Sequence, residues 1–237
     1  MARRTVKPAA KPIKAVFAEF LADQHRRLKP KTVSQYEWVL ELFEASLDGY
    51  AYQNLDDDET ALWEELYNAR GPDHREFCQV FGPEKIPENV GEFLGYFMPH
   101  KVICGQDLLR AAGTVTKKLG KWLSDKGYVE SDSADLMTDR GARASKDLPA
   151  AEALSQVLAA HAATTTAAVT ERVEGYFQVR SVGDTSLDLE QMAGHAKMTV
   201  PVPPRAAKAC KPGWTICGCV GRSGRGWRLL EVWNVYT

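Results

Sequence analysis

The sequence predicts an α+β protein, with an all-helical N-terminal part joined through a further helix to a small five-stranded β-barrel. Three observations carry this expectation. Up to about residue 174 the apolar residues recur at intervals of three and four, the period of a helix with one buried face. Beyond Gly175 the interval falls to two and β-branched residues dominate, which is the signature of strands. With 237 residues, 44% of them hydrophobic, the chain is long enough for two cores of ordinary size.

Residues 1–12 are basic and rich in Pro and Ala without apolar periodicity, and are expected to be a disordered arm. Ile13, Phe17, Phe20, Leu21 and Leu28 then mark the first helix. Lys29-Pro30-Lys31-Thr32 breaks and restarts the chain, since proline suits a first helical turn and Thr32 or Ser34 can cap free amides. The second helix buries Val33, Tyr36, Leu40, Phe43 and Leu47, turns Glu37, Glu41 and Glu44 to another face, and is expected to end at Gly49. Asp56-Asp57-Asp58-Glu59 places carboxylates where a helix dipole favours them, opening a short helix through Leu62, Trp63, Leu66 and Tyr67. Residues 70–84 read as a loop and 86–97 as another helix. The longest helical pattern covers 106–126, with Leu108, Ala112, Val115, Leu119, Trp122 and Leu123 on its buried face and Gly127 as its stop. An Ala/Thr-rich helix over about 149–174 is expected to bridge the two halves.

Five strands follow, around Tyr176 to Val182, Leu187 to Leu189, Met198 to Val202, Trp214 to Val220 and Trp227 to Tyr236. So many short strands in about sixty residues suggest a closed or half-closed barrel, SH3-like or OB-like. The domain expectation is a basic arm at 1–12, a helical domain at 13–145 with an acidic insertion at 56–84, a linking helix at 146–174 and the barrel at 175–237.

The net charge of −1 hides strong segregation. Residues 1–31 hold nine Lys/Arg against two acids, 37–92 hold fifteen acids against three bases, 101–126 hold six bases against two acids, and 197–228 hold seven bases and no acid. Local fields rather than the total decide which polyanion is attracted. No apolar run is long enough for a membrane span and the N-terminus lacks the apolar stretch of a secretory signal, so a cytoplasmic protein without membrane contact is expected. Cys78, Cys104, Cys210, Cys217 and Cys219 are odd in number and scattered, and read as reduced thiols.

Phe17-Ala-Glu-Phe-Leu21, then Leu28-Lys-Pro-Lys-Thr-Val33 with Tyr36, then Leu40 and Leu42-Phe43, resembles the opening of the SAM-like core-binding domain of phage integrases and other tyrosine recombinases. Thr114-Val-Thr-Lys-Lys-Leu119, Lys121-Trp122-Leu123 and Lys126-Gly-Tyr128-Val129 are similar to that domain's last helix and exit. The resemblance covers about residues 13–137. It implies half of a DNA clamp whose helices lie across the major groove, with Lys29, Lys31 and Thr32 at the turn and Lys117, Lys118 and Lys121 on the late helix touching phosphates. The recombinase catalytic set of Arg, His-x-x-Arg and Tyr is not matched: no His has an Arg three residues on, and Tyr236 sits in an alternating strand. Strand cleavage by this chain is therefore not expected.

Independently of the resemblance, Arg110, Thr114, Lys117 and Lys121 fall within one stripe of a helix at 100° per residue, a cationic ridge opposite the apolar face. The plainer reading is a solvated helix face. Gly113 and Gly120, seven apart, are costly in a helix and point to close helix packing rather than to a nucleic-acid backbone. In the barrel, Arg222 and Arg225 lie in the turn Gly221-Arg-Ser-Gly-Arg-Gly226, and with Lys197, Arg205, Lys208, Lys211, Arg228 and the tryptophans Trp214, Trp227 and Trp233 they suit stacking plus charge on a single strand, a mixture that a plain barrel with basic loops also shows. Trp214 and Trp227 read as barrel core instead.

His195, Cys210, Cys217 and Cys219 lack zinc-ligand spacing, the acidic run lacks calcium-loop spacing, and no phosphate-binding glycine loop leads into a helix, so neither metal nor cofactor is expected. The sequence thus favours a non-catalytic DNA-binding protein. The alternative is an adaptor that keeps the fold and recruits a protein partner through the acidic insertion or the barrel, and an enzyme with an unfamiliar site comes last.

Overall fold

The computed structural model describes residues 6–165, 168–224 and 226–237. The chain divides into two units, the first ending at Ser145 and the second running Lys146–Thr237.

The first unit is helical. α1 (Ile13–His25) buries Ile13, Val16, Phe17 and Phe20. The chain before it is tied down from Ala9 onward, contrary to the expected disorder of the whole arm: Ala9 N–H donates to the Val80 carbonyl (2.8 Å) and Ile13 N–H to that of Phe81 (2.9 Å). Composition indicated disorder, but two backbone bonds and a side-chain cluster around Lys11 supply what the segment lacks in apolar area. α2 (Pro30–Tyr50) opens with proline in its first turn and no side-chain cap, so neither Thr32 nor Ser34 acts as one. It runs through Gly49, which keeps a negative φ.

α3 (Asp57–Tyr67) starts on a capping box, with Glu59 N–H donating to Asp56 Oδ1 (2.8 Å) and Asp56 N–H to Glu59 Oε2 (3.2 Å). The segment expected as a loop contains α4 (Phe77–Val80), a single turn with its own box between Glu76 and Gln79. Phe77, Cys78 and Val80 are buried, and one turn is too short for periodicity to reveal. The helix expected over 86–97 is α5 (Ile86–Glu92), a π-helical turn Phe93–Phe97, and α6 (Met98–Lys101).

α7 (Gln106–Asp125) buries Leu109, with Leu108 half-exposed, along with Ala112, Val115, Leu119, Trp122 and Leu123. Gly127, at φ +70°, closes it in the left-handed conformation that glycine adopts without strain. Aromatic contacts join the elements: Phe43 stacks on Phe93 (4.3 Å between centroids), and Phe20 meets Tyr36 of α2 (6.0 Å) and Trp122 of α7 (5.4 Å).

α8 (Ser131–Ala162) is the longest helix and overturns the expected linker over 146–174 at both ends. Pro149 sits inside it rather than at its start. Proline cannot bond back to the carbonyl four residues earlier, here that of Ser145, which is also where the two units divide. Residues 171–174, expected to be helical, begin β1 (Glu171–Val182), where they pair with 219–222 of β4.

The second unit is a five-stranded antiparallel sheet curled into a half-barrel. Its strands are β1, β2 (Ser186–Gln191), β3 (Lys197–Pro201), β4 (Thr215–Ser223) and β5 (Gly226–Tyr236), in the order β3-β2-β1-β4-β5. α9 (Pro204–Ala209), absent from the sequence expectation, lies between β3 and β4. Phe177, Val179, Leu187, Leu189, Val200, Ile216 and Val235 fill the inside, together with Leu154 and Leu158 from the last turns of α8. A register shift between Val179 and Ser181 leaves both Arg180 and Ser181 exposed. Among the described residues, no helix is long and apolar enough to cross a membrane.

Candidate nucleic-acid interface

α7 carries the expected ridge, and its backbone is held unusually close to α8. A Cβ added at Gly113 would lie 2.2 Å from Ser145 N and 2.6 Å from the Gly141 carbonyl oxygen. One added at Gly141 would lie 2.5 Å from Lys117 N, and one at Gly120 about 3.1 Å from Ala134 O, Met137 Cγ and Thr138 Oγ1. These glycines therefore serve helix packing, the plainer of the two sequence readings. Lys117, whose amide sits on this seam, still projects an exposed side chain, so the ridge flanks the α8 contact rather than standing opposite all packing.

The ridge residues differ in how free they are. Among the described residues, exposed Lys117 and Lys118 form no ion pair. Arg110 is paired with Asp107 (3.0 Å) and Lys121 loosely with Asp125 (4.0 Å), both exposed pairs of little stabilising weight that a phosphate can replace. Thr114 is half-buried and its hydroxyl donates to the Arg110 carbonyl (2.9 Å), so it is not a free donor. At the other predicted contact, Lys29 precedes α2 in extended conformation and Lys31 lies in its first turn, both exposed, while Thr32 is half-buried. The start of α2 and the end of α7 share the Phe20 contact through Tyr36 and Trp122.

Neighbouring cations are consumed internally. Glu19 accepts from Lys11 and from the Tyr128 hydroxyl (2.7 Å) and pairs with Lys126 (3.2 Å), which also reaches Asp23 (3.2 Å). Asp23 accepts from Trp122 Nε1 (2.9 Å). The Lys11 ammonium, with Tyr128 and Lys126, holds the Glu19 carboxyl down at about 2. Glu59 of the acidic stretch is occupied by Lys85 (2.8 Å).

In the barrel, Arg222 is exposed, lies 3.8 Å from Glu171 and sits over the Trp227 ring (6.0 Å to the centroid). Arg225 lies outside the described residues. Trp214 is buried, and Trp227, expected in the core, packs against it half-buried and also lines a cavity of about 620 Å³ with Arg180, Ser181, Asp188, Lys197 and Thr199. Alternation places Asp188, Lys197 and Thr199 at exposed strand positions, and the register shift after Val179 exposes Arg180 and Ser181 beside them. Only the curl of the sheet brings them to Trp227, so the strand pattern alone did not show the cavity.

His195 Nδ1 lies 3.1 Å from Glu190 Oε1. Cys210, Cys217 and Cys219 are buried, and burial pushes the Cys210 thiol up to about 11. Among the described residues, no group of three or more His, Cys, Asp or Glu gathers as a metal site.

Comparison of the chain with models of protein families, with curated proteins and with solved structures found no match.

Proposed function

We propose that this is a non-catalytic, cytoplasmic DNA-binding protein that holds duplex phosphates on the α7 face formed by Arg110, Lys117, Lys118 and Lys121, with Lys29, Lys31 and Thr32 at the start of α2 as a second contact. The observation that carries the proposal is the state of Lys117 and Lys118: exposed, without ion pairs among the described residues, and rooted in backbone locked against α8. Elsewhere in the unit Lys11, Lys14, Lys85 and Lys126 each have a carboxylate. Cations left unpaired on a rigid helix keep their attraction for a polyanion and lose little backbone freedom when it arrives.

The motif order around Lys29-Pro-Lys-Thr32 and Lys117 supports reading the helical unit as SAM-like and related to recombinase core-binding domains. The strand order, and α9 between β3 and β4, support an OB-like barrel over an SH3-like one. The double substitution Lys117→Gln/Lys121→Gln tests the proposal, and is expected to weaken binding to duplexes of unrelated sequence by the same factor. Unchanged affinity would remove the ridge from consideration.

The second reading, an adaptor for a protein partner, draws on exposed Asp57, Glu64 and Glu65 beside exposed Tyr67 on α3. A chain that ignores duplex DNA at low salt would favour it.

A further inference from the structure

The curl of the sheet brings β3 and β5 side by side, and among the described residues no hydrogen-bonded ladder joins them. The cavity of about 620 Å³ opens at this seam, a size that suits a small organic ligand or one residue of a polymer. Its wall combines an aromatic ring, fixed acceptors and cations. Trp227 lines it half-buried, with the Arg222 guanidinium over its ring. The Asp188 carboxylate accepts the Ser181 hydroxyl through one oxygen and the Thr199 hydroxyl (2.6 Å) through the other. Those two hydroxyls have spent their protons on Asp188, so what they offer a ligand is acceptor lone pairs. Lys197, exposed, without an ion pair among the described residues and paired in register with Glu190, also lines it, as does Arg180, which Glu190 holds at 3.0 Å.

A fitting ligand therefore combines a flat aromatic face for Trp227, N–H donors for the fixed acceptors and negative charge for Lys197 and Arg222. An unpaired nucleotide has all three: a base with π-faces and N–H edges, and a phosphodiester on either side. A base inside a duplex does not, because its faces are stacked and its edges are paired.

We propose that this cleft binds an unpaired nucleotide of a single strand, with the base against Trp227, its N–H edge toward Ser181, Asp188 and Thr199, and the backbone at Lys197 and Arg222. The assignment deepens the DNA-binding reading by giving the barrel the unpaired strand and α7 the duplex. It rests on different residues from α7.

The test is fluorescence anisotropy of the full chain with a labelled oligo(dT) of about 12 nucleotides, within the usual site size of such barrels, beside a labelled duplex. The wild-type chain is expected to bind both. Trp227→Ala should weaken oligo(dT) binding by about tenfold or more, whereas Trp227→Phe should keep it within about threefold, since a phenyl ring still stacks. Lys197→Gln should weaken it and make its log-log salt slope shallower by about 0.7, the value for one phosphate of a single strand. None of the three should change duplex affinity, and Lys117→Gln/Lys121→Gln should do the reverse. Should Trp227→Ala fail to fold, as judged by thermal unfolding, Trp227→Phe and Lys197→Gln carry the test between them. A wild-type chain that binds duplex but not oligo(dT), or a folded Trp227→Ala or Lys197→Gln variant that binds oligo(dT) as well as wild type, would overturn the assignment while leaving α7 untouched. Loss of duplex binding alone would overturn the α7 reading and leave this one standing.

Discussion

The α7 face and the barrel cleft are two opposite solutions to displaying charge. On α7, cations project from a convex helix whose backbone is pinned by Gly113 and Gly141 so tightly that no methyl fits. In the cleft, fewer cations surround a cavity with an aromatic wall and a carboxylate fixed by two hydroxyls. A convex cationic ridge can sense only charge density, whereas a concave wall with oriented acceptors can distinguish chemical groups. The first surface depends on packing underneath it, and the second on what lines it.

That difference makes substitutions at the two places behave differently. The largest effect is expected for Gly113→Ala: its methyl would meet backbone atoms of α8, and over-packing of this kind costs about 1–3 kcal/mol or more despite alanine's better helix propensity. Chemical denaturation would measure it, and duplex affinity should fall with it as the ridge is displaced. Gly113→Ala at wild-type stability would show that α8 is not pinned as described. Trp227→Ala should cost less, about 1–2 kcal/mol, because the ring is half-exposed, while its effect on oligo(dT) is large.

The paired cations supply a pH contrast. Glu19, held at about 2 from an ordinary 4.5, contributes stability that is complete above 4.5 and lost as pH falls toward 2. Thermal unfolding across that window should show wild type losing stability that Glu19→Gln, already weaker at neutral pH, does not lose. Parallel curves would sink that account of Lys11 and Lys126. The smallest effect is expected at Gly49, which has open space around its Cβ position inside α2: Gly49→Ala should stabilise by about 0.5–1 kcal/mol, the reverse of Gly113→Ala.

Where an element is long and its signals local, the sequence disclosed it. Gly127 stops α7, Asp56 and Glu59 cap α3, and the change of period after Gly175 announces a sheet. Where tertiary contacts decide, it did not. α4 is one turn held by burial of Phe77, Cys78 and Val80, and Ala9 is fixed by a carbonyl seventy-one residues away. Pro149 resembles a helix start locally yet lies inside α8, and Glu171-Arg-Val-Glu174 already alternates but follows an Ala/Thr run that reads as helix. Of the ridge, exposure followed from the 100° period, but the freedom of Lys117 against the pairing of Arg110 depended on which carboxylates came near. The cleft needed strand register and curl, neither of which is written in any one strand.

The claim that unpaired cations on a pinned helix meet a polyanion is tested most directly by the salt dependence of binding to random-sequence duplex. With three to five cations of Lys29, Lys31, Arg110, Lys117, Lys118 and Lys121 each displacing a counterion, the log-log slope is expected near −3 to −5, and about 2 units shallower in Lys117→Gln/Lys121→Gln. A slope near zero, or one that the double substitution leaves unaltered, would contradict it.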